Sequence, residues 1–210
     1  MASNAARHTT GLVAGAVMLC GLAAPLAAQT FTDVTIPPTA PSSGVYIDQI
    51  GTANNAEVEQ KALAQTASVN QSGSTNDAQV DQRDAGGHFA AVAQDGTDNI
   101  ATITQEGDVQ NVAIITQSGA ANSASIAQND TGAIGSAAQV LQSGSGNSLS
   151  LVQDGADNQA RLAQIGDNNV MTATQLGAGN RLEWEQNGNG LPDMSITQTG
   201  GAVAFISQGN

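Results

Sequence analysis

The chain has 210 residues and is acidic, with 5 Lys and Arg against 18 Asp and Glu and a formal net charge of −13. That charge excludes a conventional nucleic-acid-binding protein, which needs a basic face to neutralise phosphates. Aromatic residues make up only 2% of the chain, whereas it contains 21 Gln, 17 Asn and 24 Gly, so an ordinary globular enzyme fold is not expected. This composition fits either a low-complexity chain or a repetitive β-structure.

The first 28 residues have the pattern of a cleaved secretory signal peptide. A short polar start is followed by an apolar run over residues 11–24, and the segment ends in small residues. Such a run is too short to span a bilayer and is typical of an exported protein. Cleavage after Ala28 would remove Arg7 and Cys20, leaving 4 − 18 = −14 charges and no disulfide.

Residues 29–43 are predicted to form a leader between the signal peptide and the rest of the chain. Three of the five prolines lie here, and proline cannot take part in strand pairing as a donor. We therefore expect an extended, poorly ordered segment. It serves either as a spacer, which the composition favours, or as a recognition tail for an export machine.

Regular spacing of glutamine is the main signal in residues 44–210. Of the fourteen intervals between fifteen successive glutamines, nine are 11 residues long. A disordered Gln-rich chain has no physical reason to keep such a spacing, so the period predicts a repeated structural unit. These glutamines are Gln49, Gln60, Gln71, Gln82, Gln94, Gln105, Gln117, Gln128, Gln142, Gln153, Gln164, Gln175, Gln186, Gln198 and Gln208.

Other residue types keep a fixed phase with these glutamines. The second residue before the glutamine is Val, Ile or Leu in thirteen of the fifteen units, and the fourth is usually Ala. Apolar residues at a spacing of two indicate a strand with one buried face. Gly and Asn follow the glutamine and favour a tight turn. The turn positions are Gly51, Gly73, Gly96, Gly119, Gly144, Gly155, Gly166 and Gly177, with Asn54, Asn76, Asn99, Asn122, Asn147, Asn158, Asn169 and Asn180.

The sequence thus predicts an all-β fold, a β-solenoid of about seven two-strand rungs with a repeat of 22–25 residues. One strand pair cannot bury its apolar face, but stacked pairs can, at about 4.8 Å per rung. Stacked Gln and Asn side chains are expected to form amide ladders, as in cross-β assemblies. The predicted rungs are 45–60, 67–82, 90–105, 113–128, 138–153, 160–175 and 182–198, followed by a half-rung at 204–208.

Two irregular places stand out against this repeat. The arcs after Gln60, Gln82, Gln105 and Gln128 are degenerate or lengthened, and His88 in one of them is interpreted as an exposed loop residue. In the seventh rung, Trp184 takes an inward position, and Pro192 is interpreted as replacing a turn asparagine.

The repeat Gln-x-Gly-x-x-Asn-x-Ala-x-hydrophobic-x-Gln resembles the curlin repeat of bacterial curli fibre subunits. It is clearest at residues 94–105, 117–128 and 49–60. The resemblance implies a secreted functional amyloid that templates its own stacking as cell-surface fibres, supporting biofilm and adhesion. It also implies three partners: further copies of the chain itself, a companion curlin subunit, and an outer-membrane export pore that would recognise the 29–43 leader.

No catalytic, cofactor or metal constellation is apparent in the repeats. Asp95, Asp98, Asp154, Asp157 and Asp167 fall in the predicted turns, where Asp favours turn formation. Two alternatives to the fibre subunit stay open: a monomeric solenoid that binds ice, calcium or a surface, and a carbohydrate-active solenoid enzyme. The half-rung at 204–208 and the first rung at 45–60 are expected to be uncovered edges to which further strands add.

Overall fold

The computed structural model describes Phe31, Asp33, Val34 and residues 43–210. The predicted signal peptide and most of the predicted leader lie outside the described residues. Fifteen strands follow one another through residues 44–209. They are β1 (Gly44–Thr52), β2 (Asn55–Gln60), β3 (Thr66–Ser74), β4 (Asp77–Gln82), β5 (Phe89–Thr97), β6 (Ile100–Gly107), β7 (Val112–Ala120), β8 (Ser123–Asp130), β9 (Ala137–Ser145), β10 (Ser148–Asp154), β11 (Gln159–Ile165), β12 (Val170–Leu176), β13 (Arg181–Asn187), β14 (Met194–Thr199) and β15 (Val203–Gly209).

Odd-numbered and even-numbered strands form two separate parallel sheets. Sheet A contains the eight odd strands in order from β1 to β15, and sheet B contains the seven even strands from β2 to β14. Each rung is one odd strand followed by one even strand, so the predicted β-solenoid of about seven rungs is confirmed. Equivalent positions lie opposite each other, for example Gln71 opposite Gln94 and Gly73 opposite Gly96.

The core is a thin layer between the two sheets. Inward positions alternate with outward ones along every strand, so Ala90 and Val92 of β5 are at most 2% exposed while Ala93 between Val92 and Gln94 is exposed. The small Ala column lies beside the Val, Ile and Leu column in one continuous apolar cluster. Burying each Val or Ile contributes roughly 1.5–3 kcal/mol, and only stacking rung on rung provides that burial.

The seventh rung accommodates an aromatic ring within this core. Trp184 lies opposite Leu162 and Ile206 in sheet A and is 1% exposed. Its indole Nε1 has no hydrogen-bond partner among the described residues. The interpretation of Pro192 was wrong by one residue: the Leu191 amide takes the place of the turn asparagine amide, bonding to Asn169 Oδ1 at 3.0 Å.

Glycines at the strand ends and in the arcs leave room for the backbone of the next rung. Of the predicted turn glycines, Gly155, Gly166 and Gly177 lie in arcs, whereas the prediction was wrong for five that lie next to last in odd strands: Gly51, Gly73, Gly96, Gly119 and Gly144. Gly96 has φ +126°, and a Cβ built on it would lie 1.9 Å from the carbonyl oxygen of Gly119 in the next rung. The same near-contact recurs at the other turn glycines from Gly51 to Gly166. The residue before the turn asparagine is left-handed too, as at Asp98 with φ 56°. The arcs therefore stack as closely as the strands.

Replacing Gly96 by Ala should destabilise the folded monomer by at least about 2 kcal/mol, because the new Cβ adds backbone strain and collides with a carbonyl. Chemical denaturation at low protein concentration measures this change. Gly44→Ala is the matched control, since a Cβ at Gly44 meets nothing within 4 Å. Equal midpoints for the two variants would contradict the close stacking of the rungs.

Candidate assembly site

Two columns of glutamine side chains run the length of the solenoid, one on each sheet. In sheet A each Gln Nε2 donates to the Oε1 of the equivalent glutamine on the next strand of that sheet, from Gln49 to Gln208, at distances of 2.6–3.0 Å. In sheet B the same bonds join Gln60 to Gln198 at 2.7–2.9 Å. Every donor points toward the C-terminal rung, so each column has a direction.

The second N–H of these amides ties the two sheets together. Gln71 Nε2 on sheet A donates to the backbone oxygen of Asn55 on sheet B at 2.8 Å. Gln82 on sheet B reaches back to Thr66 oxygen on sheet A at 3.1 Å. The acceptor is in each case the first residue of the preceding strand. One amide thus holds both the stacking direction and the distance between the sheets.

The turn asparagines form a third column on one side of the solenoid. Asn99 Nδ2 and its backbone N–H both donate to Asn76 Oδ1, at 3.0 and 3.2 Å. Asn99 Nδ2 also reaches the carbonyl of Gly119 at 3.0 Å. The pattern repeats through Asn54, Asn76, Asn99, Asn122, Asn147 and Asn169. Within this column Asn76, Asn99, Asn122, Asn147 and Asn169 are buried.

A fourth polar column lies on the opposite side, in the arcs that looked degenerate, and the sequence reasoning missed most of it. His88 Nδ1 accepts the Asn111 N–H at 3.2 Å, Asn111 Oδ1 accepts the Ser136 N–H at 2.8 Å, and Ser136 Oγ accepts the Asn158 N–H at 3.2 Å. Asn158 and Asn180 continue it. The signal is present two residues before the inward Ala or Leu of the six odd strands from β3 to β13, where Gln65, His88, Asn111, Ser136, Asn158 and Asn180 stand.

The interpretation of His88 as an exposed loop residue was therefore wrong. Its side chain is fully buried, and its Nε2 lies 2.8 Å from the Arg83 carbonyl. Since Nδ1 accepts a backbone N–H, Nε2 carries the proton and the ring is neutral. Burial lowers the pKa of His88, against smaller opposing effects of the Arg83 carbonyl and of Asp84 and Asp130.

Asp130, the last residue of β8, is buried as well, and its pKa is shifted in the opposite direction. Its Oδ2 accepts from Ser136 Oγ at 3.1 Å and its Oδ1 from the Gly132 N–H at 3.0 Å. Burial raises the pKa of Asp130, although these hydrogen bonds to the carboxylate act against the rise. The hydrogen bond between Asp130 and Ser136 closes the arc at residues 131–136 around the fourth column.

Acidic side chains are staggered rather than stacked on the outer faces. Glu59 and Asp81 are opposed on adjacent strands of sheet B, and this is the one acid-on-acid pair in register among the described strands. Each of the two carboxylates has its own cation, because Lys61 lies 3.2 Å from Glu59 and Arg83 contacts Asp81 and, at 2.8 Å, Glu106. Carboxylates in the turns accept backbone N–H groups, as Asp167 does from Ser145 at 2.8 Å. Of the acidic residues predicted in turns, Asp98, Asp157 and Asp167 lie between strands, whereas the prediction was wrong for Asp95, which lies in β5, and for Asp154, which ends β10.

Other kinds of site find no support in the described residues. No group of three or more His, Cys, Asp or Glu side chains there is placed to hold a metal ion. The same part of the chain has no helix of the length and apolarity needed to cross a membrane. Two surface depressions on sheet A are open to solvent and lined in part by outward residues such as Asn70 and Gln139.

Comparison with known families identifies the repeat. Residues 144–177 match the family model of the curlin associated repeat. The matched segment begins at the turn glycine Gly144 and ends at the turn glycine Gly177, and it contains β10, β11 and β12. The resemblance to curlin repeats is therefore confirmed. No curated protein and no solved structure matches the chain.

Replacing Gln94 by Ala should destabilise the monomer by about 2–4 kcal/mol, because the buried amides of Gln71 and Gln117 each lose a partner at roughly 1–3 kcal/mol. Denaturant unfolding measures the change. Gln79→Ala, on the exposed face of β4, is the control and should stay within about 0.5 kcal/mol of the parent. A Gln94 variant as stable as the Gln79 variant would show that the column does not hold the fold.

Replacing His88 by Asn should flatten the dependence of stability on pH. The folded state holds His88 neutral with a lowered pKa, while the unfolded chain takes up a proton below about pH 6.5. Stability of the parent should therefore fall as the pH is lowered from about 7.5 to about 5.5, and less so in the variant. Asp130 acts with the opposite sign at more acidic pH. Parallel pH profiles for parent and variant would contradict this assignment.

Proposed function

We propose that the chain is a secreted structural subunit that stacks end to end into extracellular amyloid fibres of the curli type, supporting a biofilm matrix and surface adhesion. The curlin associated repeat supports a curli-type structural role rather than an enzymatic one. The proposal includes two further partners, a second curlin subunit and an outer-membrane export pore. The predicted signal peptide and leader would direct the chain to export.

One observation carries the stacking proposal: the inward columns stay open at the edge formed by β1. Val45 and Ile47 are 51% and 44% exposed, whereas their partners in register, Ala67 and Val69, are at most 1% exposed. An apolar strand edge with unpaired backbone groups is a template for another strand. Among the described strands, β15 is the corresponding edge at the other end of sheet A, with Ile206 only partly buried.

The direction of the glutamine columns makes the two edges complementary. At the β1 edge the column ends on Gln49, which donates to Gln71, so its Oε1 is the end that faces away from the stack. At the β15 edge Gln208 accepts from Gln186 and presents its Nε2 outward, where its one partner among the described residues is the Pro192 carbonyl at 3.2 Å. An oxygen end and an N–H end fit each other, so the proposed contact is head to tail.

A monomeric, surface-binding solenoid is the second candidate. On the outer face of sheet B, Thr102, Ser125, Ser150, Thr172 and Ser195 lie opposite one another on five successive strands. The row gives way to Gln79 and Glu57 on the first two strands of that sheet. Electron microscopy with a thioflavin-type dye separates the candidates, since fibres are expected from the first and a persistent monomer from the second.

Ile47→Lys should suppress fibre formation, because it places a charge in the proposed dry interface between subunits. The control is Tyr46→Lys on the same strand, which points outward, is 60% exposed and should assemble as the parent does. Dye fluorescence kinetics and sedimented yield provide the measurement. If both variants assemble alike, the β1 edge is not the contact.

Added salt should accelerate assembly. The mature chain would carry 4 − 18 = −14 charges, and bringing subunits together concentrates carboxylates along the fibre. Screening becomes effective over about 10 Å at 0.1 M salt, which weakens this repulsion. The lag time measured over a salt series at constant pH should shorten steadily. A lag that lengthens with salt would mean that attraction between opposite charges drives the contact.

A further inference from the structure

Two residues of the predicted leader are bound to the outer face of sheet A. Val34 is only 4% exposed and packs with Val112 and Ala137 in a small cluster separate from the main core. Its backbone N–H donates to Gln159 Oε1 at 2.9 Å. The preceding Asp33 places Oδ1 3.5 Å from Arg181 Nε. These contacts join a segment near residue 33 to side chains more than 75 positions later.

The surface that receives Val34 is a built groove. Val112, Ala137, Gln159 and Arg181 are the first residues of β7, β9, β11 and β13, where side chains face outward. Val112 and Ala137 are nevertheless fully buried, and Gln159 is 6% exposed. In the same outward row, Val203 of β15 is 59% exposed. Val34 packs on Val112 and Ala137, whereas Val203 lies on the edge strand β15 and outside this cluster.

The chemistry of the groove selects a particular dipeptide. An apolar slot between Val112 and Ala137, flanked by Phe89 and Ile114, accepts a branched aliphatic side chain. The buried Gln159 oxygen requires a backbone N–H next to it, since an unpaired buried acceptor is costly. Arg181, held at 2.9 Å by Asp157, offers its remaining Nε to a carboxylate one residue earlier. Asp followed by Val satisfies all three.

The groove exists only in the folded solenoid. Its four residues lie far apart in the sequence and meet because four successive strands of sheet A stack in register. An unfolded chain has the Asp33–Val34 segment but not the site that binds it. Docking of this segment therefore reports that the middle and C-terminal rungs have formed.

We propose that the outer face of sheet A is a binding site for the Asp33–Val34 segment of its own chain, so that a folded subunit withholds from other partners a segment that the unfolded chain exposes. The occupant is the same molecule rather than a second copy. The proposal is independent of fibre formation, because every contact that carries it lies within one chain.

Amide hydrogen exchange on the monomer tests the docking. In the parent the Val34 N–H should be protected, and Val112→Asp should speed its exchange about tenfold or more, because burial of one Val side chain is worth at least that factor. Val203→Asp, in the same row but exposed, is the matched control and should leave the exchange unchanged. Equal exchange in the parent and in Val112→Asp would overturn the proposal.

Two further variants distinguish docking from a folding defect and from binding of the segment to a second molecule. Val34→Asp lies outside the repeats, so it should release the segment to proteolysis while the solenoid keeps its denaturation midpoint. In a Cys20→Ser background, Val34→Cys with Ala137→Cys should give an oxidised monomer in dilute solution. A cross-linked dimer, or a Val34→Asp segment as resistant as the parent's, would overturn docking within one chain. Fibre assays on the same variants report separately on the proposed function.

Discussion

The fold depends on one bifunctional group, the glutamine side-chain amide. Gln71 shows the arrangement, with one N–H donated along the stack to Gln94 and the other donated across the core to Asn55. A Val or Ile at this position would add apolar area but would fix neither the spacing between rungs nor the distance between the two sheets. The net gain per bond is only about 1 kcal/mol, whereas a buried amide left unpaired costs roughly 1–3 kcal/mol. The column therefore selects the register more than it adds stability.

The other features follow from the spacing that these amides impose. Rungs that are one hydrogen bond apart leave no room for a Cβ at the strand ends and in the arcs, so Gly96 and its equivalents are required beside the carbonyl of the next rung. The same close stacking buries the turn asparagines, so their side-chain amides must also be hydrogen-bonded. Staggered acidic residues on the outer faces let a strongly charged chain stack within one molecule.

The sequence could predict the parts of the structure whose spacing is constant. Glutamines at intervals of 11, with Val or Ile two residues before, lead directly to strands, an inward face and a stack. The fourth column could not be recognised because its arcs differ in length. Counting a fixed number of residues forward from Gln60 or Gln82 therefore does not reach its members. Counting back from the inward Ala67 and Ala90 recovers Gln65 and His88. The docking of Val34 could not be predicted, since it depends on four strands meeting.

The interactions within one subunit and those proposed between subunits are the same in kind. The glutamine column of sheet A has an oxygen end at Gln49 and an N–H end at Gln208, and the column of sheet B runs in the same direction from Gln60 to Gln198. A single molecule is therefore a segment of a periodic stack. The buried partners of the open Val45 and Ile47 show what a further strand would provide: near-complete burial, as at Ala67 and Val69. A monomer thus leaves exposed at its β1 edge the apolar side chains that the internal rungs bury. The polar columns allow a further strand to bury them in only one register and one direction.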